Sequence, residues 1–385
     1  INGVTYDQVM PVEVDTAQGP ANLQLGYNTG ENPFMAAQRF IDENMLNQSY
    51  LSQIADWITA RTGASQTPVI DLGASSGPTA LVGVPGGSTG PSGGHGGSRS
   101  HIFVPLKIPI TFEEVPSSLS NKIIPKIESL NTSVPSSVSI ASEDMDRIKE
   151  VVEVLGATSR YHVSTIRPLH LTAVLKMLDW SIESLFPAYD MLRMICCHPM
   201  GESTLVSLPI NSKQMIISRT VAILSEDNIP SATASTAIKF MCNLFKTETL
   251  RKSFLDNENT LESWITAIAS QATVSSKLVR AAAMTLLANI LMITINMNKE
   301  TKSDIFAQAL STVYEVISTE KESADAIFKC LLVLGTAILY GTDTDVKSLC
   351  NELGLRSALE TMNSQWTGRL GEKIEKCYGE VMTLI

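Results

Sequence analysis

The chain has 385 residues, 44% of them hydrophobic, enough for two or three domains with cores of their own. A formal net charge of −10 and a pI near 5.1 argue against a general binder of nucleic acid or of anionic membranes. The six cysteines form no CxxC pair and the five histidines no HExxH or paired Cys/His pattern. Buried, reduced thiols are therefore expected rather than a zinc site, and no metal or cofactor is expected.

The chain begins with Ile1, which points to a piece of something longer, and Asp7, Glu13 and Asp15 break up any signal-peptide pattern. Residues 1–63 read as a small α+β unit. "YDQVMPVEV" alternates around Val9 and Val12, "TAQGPAN" turns the chain, and "LQLGYN" returns it, which predicts a hairpin. A helix is predicted from Asn32 as cap and Pro33 as first helical residue, with Ala36, Ala37, Phe40 and Ile41 on one face. A second, from Ser49, carries Tyr50, Ile54, Trp57 and Ile58 at helical spacing. Such a unit is too small for an enzyme cleft but large enough for one recognition surface.

Residues 64–100 shift sharply in composition, and "GGSTGPSGGHGGSRS" predicts a flexible linker. "GGSTGPSGG" lacks the GK[ST] ending of a phosphate cradle. "PVIDLGASSG" contains G-x-S-x-G around Ser75, but Pro78 and more glycines follow where a nucleophile elbow needs a helix. A serine hydrolase is the enzymatic alternative, and the absence of α/β alternation weighs against it.

Residues 101–385 are predicted to be nearly all helix after an extended start, "HIFVPLKIPITF". "AAAMTLLANILMITINMN" (281–298) is uncharged and long enough to span a bilayer, yet Asn289, Asn296 and Asn298 favour a buried helix. "FMCNLF" is echoed by "LLANIL", which puts Asn289 46 residues after Asn243. "LVLGTAIL" follows at the same step with Gly335 in the equivalent place, and "RMICCH" precedes at a similar one. A period near 46 with two or three helices per unit is the signature of armadillo/HEAT repeats. The fold class is therefore mainly α: a hairpin plus two helices, then an all-α armadillo-like solenoid.

In such a stack one helix per repeat lines a concave groove. A buried amide needs partners, and two readings of Asn243 stand. It holds the backbone of an extended peptide in the groove, or it braces the neighbouring repeat. Recurrence at the repeat period favours the first. Lys239 lies one helical turn before Asn243 on the same face.

The segment "YDQVMPVEV…LQLGYNTGENPFMAAQRFIDENMLNQSYLSQIADWI" resembles the PFU domain, the ubiquitin-binding module of the phospholipase-activating protein (PLAA) family. "FVPLKIPITFEE", "IIPKIESLN", "LFPAYDMLRM", "AIKFMCNLF" and "FKCLLVLGTAIL" resemble the PUL domain that follows it in that family. Members also carry an upstream WD-repeat propeller that these residues do not include. The resemblance implies a non-catalytic adaptor in ubiquitin-dependent degradation, sorting and ubiquitin homeostasis, cytoplasmic and nuclear. Its partners would be ubiquitin and the acidic C-terminal tail of the AAA ATPase valosin-containing protein; another acidic peptide in the groove is the alternative.

The family's aromatic positions fall on Phe40 and Trp57, with Phe40 on the predicted core face. Phe34 and Met10 are the positions expected to be exposed for ubiquitin. In the PUL-like part the family's basic positions fall on Lys239 and Lys329, where relatives often carry Arg, and Arg193 in "YDMLRM" is a third candidate. With Asn243 and Asn289 these complete the expected peptide-binding set.

Overall fold

A computed structural model describes residues 5–16, 19–28, 31, 33–44, 51–62, 101–116, 118–161, 163–255, 258–342 and 344–385. Ser75, the Asn32 cap, the 64–100 linker and the side chain of Phe34 lie outside the described residues. The chain divides into two compact units, Ile1–His95 and Gly96–Ile385.

The first unit is an antiparallel hairpin, β1 (Gln8–Thr16) and β2 (Gly19–Tyr27), with two helices, α1 (Pro33–Glu43) and α2 (Leu51–Thr62). Met10 lies opposite Leu25 and Val12 opposite Leu23, so one face of the ribbon is apolar. That face packs with Tyr27, Ala36, Ala37, Phe40, Ile41, Ile54, Ala55 and Ile58 into one core. Strand period corrects two expectations. Val9 and Val12 point to opposite faces, and Val9 is the outward one at 48% exposure. Met10, expected at the surface, is an inward residue at 8% exposure. Phe40 is also core at 2%, which leaves it little surface to offer a partner. Trp57 packs at the edge of this core with the Arg61 guanidinium 4.4 Å over its ring.

After an extended start, the second unit is helical among the described residues. It opens with α3 (Leu119–Ser133), α4 (Ser142–Gly156), α5 (Pro168–Lys176), α6 (Phe186–Ile195) and α7 (Pro199–Val206). There follow α8 (Ile210–Leu224), α9 (Ser231–Asn243), α10 (Glu248–Phe254), α11 (Glu258–Ala272) and α12 (Lys277–Ile293). The last five are α13 (Lys299–Thr319), α14 (Ala324–Tyr340), α15 (Val346–Glu352), α16 (Leu355–Gln365) and α17 (Glu372–Leu384).

Two layers result. Helices α6, α9, α12, α14 and α17 pack each against the next, and α8, α11, α13 and α16 form a second row behind them. The echoing segments all fall in the first row, so the period read from the sequence is the pitch of the solenoid. The apolar run 281–298 is mostly α12, buried in the stack, and no helix among the described residues is long and apolar enough to cross a membrane.

One helix start carries a titratable device. His198 caps α7, its Nδ1 accepting the N–H groups of Met200 and Gly201, both at 3.2 Å. Its Nε2 lies 2.9 Å from Ser164 Oγ, and the Tyr161 ring lies 4.5 Å away, tilted by 60°. Burial holds the imidazole below its ordinary pKa, so the cap is neutral. A depressed folded value means that the contribution is complete above the unfolded pKa of about 6.5 and is lost as pH falls through the folded value. Chemical denaturation should therefore show stability falling from pH 7 towards pH 5. His198→Asn, which keeps a capping oxygen, should flatten that slope; an equal slope in both proteins would remove His198 as its source.

Candidate peptide groove

Asn243 is fully buried at the end of α9, and its amide is completely used. Its Oδ1 accepts the Phe112 N–H at 2.6 Å, and its Nδ2 donates to Phe112 O at 3.0 Å and Arg193 O at 2.9 Å. One repeat later Asn289 does the same for Ile110, accepting its N–H at 2.8 Å and donating to its C=O at 2.9 Å. Residues 110 and 112 lie on the same edge of an extended chain because strand period is two. The extended start of this unit therefore lies along the inner helices as a strap, with its backbone read by one amide per repeat.

Other helices of the row hold the rest of it. On α14 the Thr336 hydroxyl accepts the Leu106 N–H at 2.9 Å, and the Tyr340 hydroxyl donates to Leu106 O at 3.2 Å. On α17 the Glu380 carboxylate accepts the N–H groups of Ile102 and Phe103 at 2.8 and 2.9 Å. On α6, Arg193 donates to Phe112 O at 2.7 Å and Glu114 O at 2.9 Å while bonded to Asp190. The strap thus crosses the row from α17 to α6. Gly335 is what lets it settle against α14: a Cβ there would stand 2.5 Å from Val104 Cγ1.

These contacts correct the expected roles of Asn243, Asn289 and Arg193. They do hold an extended backbone in the groove, but it is residues 110–114 of the same chain. Their hydrogen-bonding groups are already engaged. Sequence reasoning missed Thr336, Tyr340 and Glu380, and it missed that the peptide was present. The signal was there: an extended run in an otherwise helical unit must pair its backbone groups somewhere.

The lysines stand differently. Lys239 is half-buried with its Nζ 5.3 Å from the Phe112 ring centroid, and among the described residues no carboxylate lies within ion-pair distance of it. Burial lowers its ammonium pKa, and the nearby Arg193 lowers it further. Lys329 on α14 sits 5.2 Å from the Phe328 ring and 3.7 Å from Asp325 Oδ1. Lys373, at the start of α17, approaches the same ring at 4.3 Å. Burial lowers the Lys329 pKa too, with Lys373 adding to the effect. A cationic rim of Lys239, Lys329 and Lys373 therefore accompanies the strap-filled groove. No cluster of metal-ligating side chains occurs among the described residues.

Residues 104–380 match the family model of the PUL domain, and residues 1–66 that of the PFU domain, described as PLAA family ubiquitin binding. The chain is a PFU–PUL member of the phospholipase A-2-activating protein family. It is similar to Phospholipase A-2-activating protein of Xenopus laevis, 26% identical over 402 residues, covering 93% of this chain and 47% of that protein. It is also similar to Ubiquitin homeostasis protein lub1 of Schizosaccharomyces pombe, 24% identical over 340 residues, covering 87% of this chain and 41% of that one. The chain thus spans about half the length of the curated relatives it matches. Among solved structures, a crystal structure of PUL and PFU (mutate) domain aligns at 16% identity and a TM-score of 0.49, covering 99% of this chain and 98% of that one. The PFU-PUL domain pair of Saccharomyces cerevisiae Doa1/Ufd3 aligns at 15% and 0.46, with the same coverage.

Proposed function

We propose that this chain is a non-catalytic adaptor, acting in the cytoplasm and nucleus in ubiquitin-dependent degradation and ubiquitin homeostasis. Its PFU-like unit binds ubiquitin, and its PUL-like unit binds the acidic C-terminal tail of the AAA ATPase valosin-containing protein. The observation that carries the second half is the cationic rim. In a chain of net charge −10, Lys239, Lys329 and Lys373 gather beside one groove, and Lys239 stands without an ion-pair partner among the described residues. A desolvated, unpaired ammonium is costly alone and is offset by a ligand carboxylate. The first half is supported by the PFU match and by the name of the Schizosaccharomyces pombe relative. Trp57, at the edge of its core, and Phe34, whose side chain lies outside the described residues, are the remaining candidate contacts for ubiquitin.

The test is a titration of the full chain with ubiquitin and with a synthetic peptide of the ATPase tail. Lys239→Glu should weaken tail binding by about tenfold or more, equivalent to about 1.4 kcal/mol, and leave ubiquitin binding intact. The loss should shrink at high salt, since partly exposed charges are screened over about 10 Å at 0.1 M. A tail affinity unchanged by Lys239→Glu would reject the rim as its site. Binding of unrelated acidic peptides as tightly as the tail would favour a general acidic-peptide scaffold instead.

A further inference from the structure

Between residues 110 and 114 the helices use one edge of the strap. Ile110 and Phe112 direct their N–H and C=O groups to Asn289 and Asn243. Thr111 between them faces the other way by strand alternation, and among the described residues its main chain makes no hydrogen bond. Its hydroxyl donates to the Glu113 carboxylate at 2.9 Å, on the open side. Most other threonine hydroxyls are placed differently. Those of Thr220, Thr236 and Thr285, for example, sit within helices and donate to the carbonyl four residues back, at 2.7, 2.8 and 2.8 Å.

We propose that Thr111 is a phosphorylation site for an acid-directed Ser/Thr kinase, and that its phosphate closes the groove's rim to acidic peptides. The second half rests on the reading of the rim given above. The sequence Thr111-Phe112-Glu113-Glu114 puts carboxylates two and three residues after the hydroxyl, the side on which such kinases read their substrates. The backbone is already extended, and its free edge is available to a kinase cleft. Ser142 also has acidic residues directly after it, Glu143 and Asp144, but lies in the first turn of α4. In the transfer, the γ-phosphoryl of MgATP forms a bond to Thr111 Oγ1 as the β–γ bridging P–O bond breaks. ADP leaves, and the hydroxyl proton passes to the kinase's own base.

The consequence follows from the charges around that oxygen. Glu113 bridges Thr111 to Lys246, whose Nζ lies 2.6 Å from the other carboxylate oxygen. A phosphate of charge about −1.5 to −2 displaces Glu113 and takes Lys246 for itself. It joins Glu113 and Glu114 within two residues of Phe112, whose ring faces Lys239. Exposed charges act on one another over a Debye length of about 10 Å at 0.1 M salt. The added negative charge opposes an acidic ligand at this end of the rim. The strap stays docked, because its amide bonds use the main chain of residues 110 and 112.

The full chain is incubated with casein kinase II and MgATP, its phosphates are mapped by mass spectrometry, and binding of the ATPase-tail peptide is measured before and after. Phosphate is expected on Thr111, with tail affinity at least tenfold lower and the melting temperature unmoved. Kinase-treated Thr111→Ala should keep the affinity of untreated Thr111→Ala. A map without Thr111, or a Thr111-phosphorylated chain that binds the tail undiminished, overturns the proposal. Failure of the unmodified chain to bind the tail overturns the reading of the rim and the switch with it.

Discussion

Asn243→Ala combined with Asn289→Ala is expected to lower the melting temperature of the PUL-like unit by roughly 4–24 °C. Asn289→Ala orphans the N–H and C=O of Ile110; Asn243→Ala orphans the Phe112 N–H and takes the amide donor from Arg193 O, while Phe112 O keeps its bond from Arg193. A buried polar group left unpaired costs about 1–3 kcal/mol. Two such sites amount to roughly 2–6 kcal/mol, at about 2–4 °C per kcal/mol for a unit of this size. The two losses should be non-additive, because both residues hold one strand and share it through Thr111. Hydrogen exchange gives the local check: the Ile110 and Phe112 amides should be protected in the parent and exchange freely in the double variant. Unchanged melting together with unchanged exchange would mean that the strap does not depend on these amides. The repeat spacing favoured a ligand's backbone as what Asn243 holds, and on that reading the alanine would weaken partner binding, a typical hydrogen bond being worth about 1 kcal/mol. That is replaced by a loss of stability, since the amide is spent on the protein's own chain.

Much of this architecture could be read from the residues, and the reasons are physical. The solenoid was legible because each repeat buries the same face, so "FMCNLF" and "LLANIL" recur at the spacing of adjacent helices α9 and α12. An amide in an apolar helix also announces a hydrogen-bonding duty, and both recurring amides have one. What could not be read was the identity of the backbone they hold. Strap and amides are separated by 131 and 179 residues, and no local pattern links them. Gly335 looked like a degenerate Asn position, whereas its lack of a side chain makes room for Val104. Thr336, Tyr340 and Glu380 are unremarkable helix residues until the strap is in place. In the hairpin, the alternation was clear but its phase was not. A one-residue error of phase exchanges the two faces, which is how Met10 was expected at the surface.

Arg280→Ala should cost about 3–5 kcal/mol at neutral pH, the usual penalty for removing one partner of a buried ion pair. Arg280 begins the inner helix α12 that carries Asn289, and Glu320 lies directly after α13, where the chain turns into α14 with Lys329 and Thr336. The guanidinium grips the carboxylate with two hydrogen bonds, Nε to Oε2 at 2.6 Å and Nη2 to Oε1 at 2.8 Å. The Glu322 and Ser323 N–H groups add two more at 2.8 and 2.9 Å, and the Glu320 side chain is 0% exposed. Burial alone would push the Glu320 carboxyl up, but these hydrogen bonds outweigh it and hold it below its ordinary value. The sign of the pH dependence follows. In the parent, the Glu320 contribution is complete above the unfolded pKa of about 4.3 and is lost as pH falls through the depressed folded value. In Arg280→Ala the uncompensated carboxyl titrates upward, so protonation relieves the variant at a pH where the parent is still intact. The stability gap, measured by urea denaturation, should therefore be widest near pH 7 and narrow towards pH 4. Adding Glu320→Gln to Arg280→Ala should recover part of the loss at pH 7, because a neutral amide leaves no buried charge. A gap that stays constant from pH 7 to pH 4, or a double variant no better than the single, would show that Arg280 acts through its bonds to the Val274 and Ser275 carbonyls instead. Because this pair couples α12 to the α13–α14 turn, its loss should also loosen the spacing between the Asn289 and Thr336 contacts to the strap. The Leu106 and Ile110 amides should then exchange faster in Arg280→Ala even under conditions where the unit remains folded.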